Sequence, residues 1–168
     1  EGFVRGVRRN GLSTDGARAL VVGCGGVGSA IAASLAGAHV QELGLFDVNK
    51  ESEHKLARRL GTHYPRLRLT TGSSDPDGYD LVVNATALGM NRDDPLPLDV
   101  SRLNASTVVG EVVMSSEMTP FLRAARERGC RVQVGADMLF EMIPPYLEFF
   151  GFPTTTAERL RELARLPS

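Results

Sequence analysis

Gly23-Cys24-Gly25-Gly26-Val27-Gly28 is the segment of this chain whose residue types and spacing point most directly to chemistry. Three glycines in the pattern G-x-G-x-x-G follow an apolar run and lead into a stretch of small residues, which is the setting of a pyrophosphate-binding turn. In such a turn Gly23 permits the sharp bend, Gly25 lets the backbone approach an anion with no Cβ in the way, and Gly28 lets the next helix lie close on the sheet. That helix would then offer free N–H groups and a partial positive charge to the anion. Asp47 stands 24 residues beyond Gly23, near the ~20-residue spacing of the acid that binds a ribose hydroxyl pair. A carboxylate there repels a 2′-phosphate, and Val48-Asn49-Lys50 brings no Arg beside it, although Lys50 could turn back toward a phosphate. NAD is therefore favoured over NADP. The plainer alternative is that the glycines build only a tight turn and Asp47 caps the following helix.

The remaining reactive side chains are less suggestive. Cys24 occupies the turn itself, where a small residue is needed, and reads as a filler rather than a redox switch. Cys24 and Cys130 lie in no CxxC or Cys/His cluster, so no metal site is expected and a reducing cytoplasm is the simplest setting. His39, His54 and His63 fall in surface segments, and no Ser/His/Asp or Cys/His set emerges.

The elements that must hold these residues follow from length and pattern. With 168 residues, 42% apolar and 23% charged, the chain matches one globular domain of roughly 150 residues. Nineteen basic against 20 acidic residues leave a net charge of −1, which does not favour a nucleic-acid partner. No apolar run approaches the ~20 residues that span a bilayer, so no membrane partner is expected. Glu1 to Arg9 reads as a short amphipathic helix closed by Asn10-Gly11. Strands are predicted at Arg18–Val22, Glu42–Phe46, Arg66–Thr71, Asp80–Asn84, Thr107–Val113 and Arg131–Val134, the first and fourth of them buried and the third short and alternating. Helices are predicted at Ser29–Leu35, Lys50–Leu60, Thr119–Arg128, Gly135–Phe150 and Glu158–Leu166, with Pro144-Pro145 kinking the fourth or starting another, and Thr155 with Glu158 forming a capping box. Strands that alternate with helices imply parallel βαβ units. The expected fold is a Rossmann-type, doubly wound α/β domain of about six mostly parallel strands in the order 3-2-1-4-5-6, with helices on both faces.

Asn84-Ala85-Thr86-Ala87-Leu88-Gly89-Met90, followed by Asp94-Pro95-Leu96, resembles the loop after the fourth strand in shikimate and quinate dehydrogenases. Thr119-Pro120-Phe121-Leu122 is similar to the T-P-L-L helix of that family, and Gly135-Ala136-Asp137-Met138-Leu139 to its G-x-x-M-L helix start. With the glycine turn, these motifs occur in family order and cover nearly the whole chain. The resemblance implies hydride transfer between a nicotinamide, NAD or NADP, and the secondary alcohol of a cyclic hydroxy acid, and a place in aromatic amino acid biosynthesis. It implies that Gly23, Gly25, Gly26, Val27 and Gly28 hold the pyrophosphate and Asp47 the ribose. Asn84, Thr86 and Ala87 would line the adenosine side, and Gly135 with Met138 would meet the nicotinamide. Such loops lie at the carboxyl ends of the strands, where a doubly wound sheet binds ligands.

The family also has an N-terminal substrate domain that, with the domain junction, carries the Lys and Asp handling the hydroxyl proton, and no part of this sequence corresponds to it. Residues 1–11 resemble the junction helix, so the chain is expected to be a fragment without catalytic residues of its own, and residues 135–168 are expected to pack toward that domain. A homodimer is left open. Met114 and Met142 stand where the family places a substrate-contacting Tyr and Gln, which implies a related, less polar or differently substituted acid. The rivals are an S-adenosylmethionine-dependent methyltransferase and a non-catalytic dinucleotide-binding module.

Overall fold

The computed structural model describes residues 1–116 and 118–164, so residues 165 and 166 of the last expected helix lie outside the described residues. Six strands form one sheet: β1 Arg18–Val22, β2 Glu42–Phe46, β3 Arg68–Thr71, β4 Leu81–Asn84, β5 Val108–Glu111 and β6 Arg131–Gln133. Their order is β3-β2-β1-β4-β5-β6, and every pairing is parallel. The helices are α1 Gly2–Arg9, α2 Gly26–Gly37, α3 Lys50–His63, α4 Pro120–Glu127, α5 Gly135–Phe149 and α6 Ala157–Leu163.

The central strands β1 and β4 are apolar on both faces because both faces are covered. Successive side chains of a strand point to opposite sides. Ala19 and Val21 of β1 accordingly join a core with Phe3 and Val7 of α1, Ile31 and Leu35 of α2, and Leu56 and Leu60 of α3. Leu20 and Val22 join a second core with Phe121 and Leu122 of α4. Because the pairings are parallel, the carboxyl ends of β1, β2 and β4 lie side by side at one end of the sheet.

Two expectations are corrected. Pro144 and Pro145 do not divide the chain into two helices: α5 runs through both. Each proline forfeits one intrahelical bond, and α5 is held from outside by ion pairs of Asp137 and Glu141 with Arg9 on α1 and Arg161 on α6. The cap of α6 is Thr156, which accepts the N–H of Arg159, and not Thr155 in a box with Glu158. Among the described residues no helix is long and apolar enough to cross a membrane.

Candidate functional site

The turn after β1 is shaped by what cannot fit there. Gly23 has φ +104°, and a Cβ on it would stand 2.7 Å from the carbonyl group of Ala85 at the end of β4. A Cβ on Gly28 would collide with the carbonyl oxygen of Gly23, so glycine is what lets α2 start against the strand. Gly25 and Gly26, by contrast, have open space where a side chain would go. The first amides of a helix have no partner within it, and here no side chain caps the start of α2. The N–H groups of Gly25, Gly26, Val27 and Gly28 make no hydrogen bond among the described residues. The turn is open, and its amides are available to an acceptor from outside.

Asp47 is bound to this turn. Its Oδ2 accepts the N–H of Cys24 at 2.6 Å, and its Oδ1 accepts that of Asn49 at 2.8 Å. The alternative in which Asp47 caps α3 does not hold, because Asn49 is the cap, accepting from Glu51 and Ser52. Glu53 is fully buried beneath the turn and takes the N–H of Asp47 at 2.8 Å and the Lys50 ammonium at 2.9 Å. Lys50 also lies 4.2 Å from the Phe46 ring centroid, so its ammonium reaches back to the end of β2 and is held there between that ring and Glu53. Burial, then the charges of Asp47 and Glu53, push the Cys24 thiol up to about 12. It stays protonated and unreactive, which is the behaviour of a filler.

Gly23, Asp47 and Val48 form one side of a recess of about 310 Å³, and Thr86, Ala87 and Leu88 form the other. Asn84, expected on this wall, does not line it. It is fully buried, donating to the Leu88 carbonyl at 3.0 Å and accepting from the N–H and hydroxyl of Thr86 at 3.1 and 2.7 Å. Asn84 is thus the frame on which Thr86 and Ala87 are mounted. Further along, Asp94 accepts the N–H groups of Gly89 and Asn91, both at 3.0 Å. These bonds, that from Asn91 foremost, hold its carboxyl below the usual carboxylate range.

Thr86 is shared with a second recess, of about 360 Å³, lined by Met90, Val112, Val113, Met114 and Ser115. Met114 is half exposed there. Met142 lies elsewhere: its sulfur accepts the N–H of Gly2 at 3.3 Å, and it shares with Val27 and Met138 an apolar recess of about 280 Å³ against α1. The two methionines expected at one substrate are therefore not brought into one pocket, because Met142 is committed to packing α5 on α1. Gly135 is buried, with no room for a Cβ against the Val113 carbonyl, so its part is close packing. His39, His54 and His63 are all exposed, and no cluster of metal-binding side chains occurs among the described residues. Sequence reasoning missed Glu53 and Glu111, both fully buried. The only signal for Glu111 was an acid closing an apolar strand.

Fold, turn and acid together define a Rossmann-type α/β domain of the kind that binds nucleotides at the carboxyl edge of its sheet. No protein-family model matches the chain. It is 30% identical to a shikimate dehydrogenase (NADP(+)) of Bacillus cereus, over 96% of this chain and 60% of that protein. Quinate dehydrogenase from Corynebacterium glutamicum, in complex with NAD, superposes with a TM-score of 0.81 at 30% identity, over 96% of this chain and 59% of that one. The 5-ketofructose reductase of Gluconobacter sp. strain CHM43 superposes with a TM-score of 0.84 at 25% identity, over 96% and 61%. The chain is similar over nearly its whole length to shikimate and quinate dehydrogenases, and it spans about 60% of the length of the curated relatives it matches.

Proposed function

We propose that this chain is the cofactor-binding part of an NAD(P)-dependent oxidoreductase of the shikimate/quinate dehydrogenase type. The observation that carries this reading is the row of unpartnered amides from Gly25 to Gly28 at the start of α2, with open space above the first two. Those amides and the helix dipole suit a pyrophosphate. Asp47 suits the adenosine ribose, and Thr86 with Ala87 suits the adenosine side of the recess. When bound, the nicotinamide supplies or accepts the hydride exchanged with the secondary alcohol of a cyclic hydroxy acid. Met114, in the adjoining recess, offers that substrate dispersion contact but no hydrogen bond comparable to a phenol.

In this reading the alcohol proton is handled by a Lys and an Asp of a substrate-binding domain, and none of the residues described above takes that role. The half-covered apolar face of α5, with Leu139, Tyr146 and Phe149 exposed, is where such a domain would pack. NAD is favoured over NADP, because Asp47 presents negative charge at the ribose site while Lys50 is engaged by Glu53 and Phe46. A reducing cytoplasm suits the two unpaired cysteines. The test is fluorescence titration of the folded chain with NADH and NADPH. Sub-millimolar binding, tighter for NADH, is expected; binding of neither would overturn the reading.

A further inference from the structure

Glu111 ends β5 at the edge of the sheet where the recesses lie, directly in register with Asn84 at the end of β4. Its side chain is fully buried. Its Oε2 accepts the Thr119 hydroxyl at 3.0 Å, and Thr119 is in turn the cap of α4, accepting the N–H of Leu122. The Asn84 side chain stands beside this carboxyl group, in register with it across β4 and β5, while it carries Leu88 and Thr86. Glu111 and Asn84 thus stand side by side at the roots of two loops, 112–116 and 85–90, and the walls of the 360 Å³ recess come from those loops. The other oxygen, Oε1, is buried with no hydrogen-bond partner.

We propose that Glu111 is a positioning residue whose neutral carboxyl group holds the two loops in register, and whose ionisation loosens the recess lined by Thr86, Met90 and Met114. The groups facing it are Asn84 from β4 and Thr119 from α4, while Gln133 of β6, the register partner of Gly110, points to the other face, toward Phe3. Both facing groups are neutral. On α5, Asp137 is already paired with Arg9 and Arg161. No cation among the described residues compensates Glu111. An anion here would carry a bare oxygen in a buried place, which is costly unless the surroundings move to bring a donor. Burial accordingly pushes its pKa up to about 7, with the Thr119 hydroxyl and the nearby Asn84 side chain pulling back only in part.

The ligand arm of the test rests on the cofactor reading above. If the neutral form is the binding form, its population falls about tenfold one unit above a midpoint near 7, and the apparent affinity falls with it. NADH affinity of the chain is expected to weaken about tenfold between about pH 6 and pH 8, and that of Glu111→Gln to stay level near the acid-side value. A second arm needs no ligand: backbone amide resonances of Thr86, Leu88 and Ser115 should titrate together near pH 7 in the unsubstituted chain and not in Glu111→Gln. Retention of the pH dependence by Glu111→Gln, or resonances that stay still through pH 7 in the unsubstituted chain, would overturn the proposal. Resonances that titrate as expected while NADH fails to bind at any pH would support Glu111 and sink the cofactor reading alone.

Discussion

The carboxylate of Asp47 accepts the backbone N–H of Cys24 at 2.6 Å, so the acid ending β2 and the glycine turn ending β1 form one unit. One oxygen of Asp47 orders the turn. Its other oxygen accepts the N–H of Asn49. The same side chain thus shapes the turn and puts negative charge beside the recess lined by Thr86 and Ala87.

Asp47→Asn separates these two roles, since an amide oxygen can still accept from Cys24 while the charge is gone. The thermal midpoint should change little. A hydrogen bond to a charged group contributes about 1.5–3 kcal/mol, so NADH affinity should fall by about tenfold or more, and the preference over NADPH should shrink or invert in parallel titrations.

Gly25→Ala and Gly28→Ala should fail in different ways. Gly25 has φ −70° and open space around it, so alanine should leave stability intact while placing a methyl group where the phosphates approach. At Gly28 the methyl group meets the Gly23 carbonyl, forcing α2 off the sheet at a cost of about 1–3 kcal/mol, as for other overpacked sites. Denaturant melts together with NADH titration read both outcomes; a stable Gly28→Ala would contradict the packing described.

Stability should carry the signature of Glu111. Its pKa is raised from 4.5 to about 7 in the folded chain, so the folded state holds this proton more tightly than the unfolded state. That stabilisation is complete below pH 4.5 and is lost as pH rises through about 7, amounting to about 3 kcal/mol at most. Relative to Glu111→Gln, the unsubstituted chain should lose stability steadily from about pH 5 to pH 8. The difference matters because Asp75, Asp94, Asp99 and Glu158, all held below their ordinary values, contribute the opposite trend equally to both proteins.

Both thiols should be silent in the folded state. Cys24 is pushed up to about 12 and Cys130 is also raised, each chiefly by burial. Labelling with a thiol-specific disulfide reagent near pH 8 should proceed at the rate of unfolding and become fast in denaturant. Rapid stoichiometric labelling of native Cys24 would show the turn to be far more open than described.

Much of this was legible from local pattern. Apolar runs of strand length alternating with helices specify a parallel sheet covered on both faces, and G-x-G-x-x-G between Val22 and Ser29 places the turn. Those features depend on neighbours in sequence, and the structure bears out the sheet order. What pattern could not supply were contacts between distant residues. Asp47 and Asn49 are two residues apart, and either could have capped α3; the choice fell to Asn49 because Asp47 is drawn to an amide on another strand.

Residue types alone determined the sheet, its order, the glycine turn and the acid at the end of β2, since backbone sterics and burial act through the identity of each residue and its near neighbours. Tertiary structure alone decided that Asn84 frames the wall instead of lining it, that Met114 and Met142 part company, and that Glu111 is sealed among neutral partners. The physical reason is that burial and hydrogen-bond pairing across β4, β5 and α4 exist only once segments far apart in the chain have been brought together.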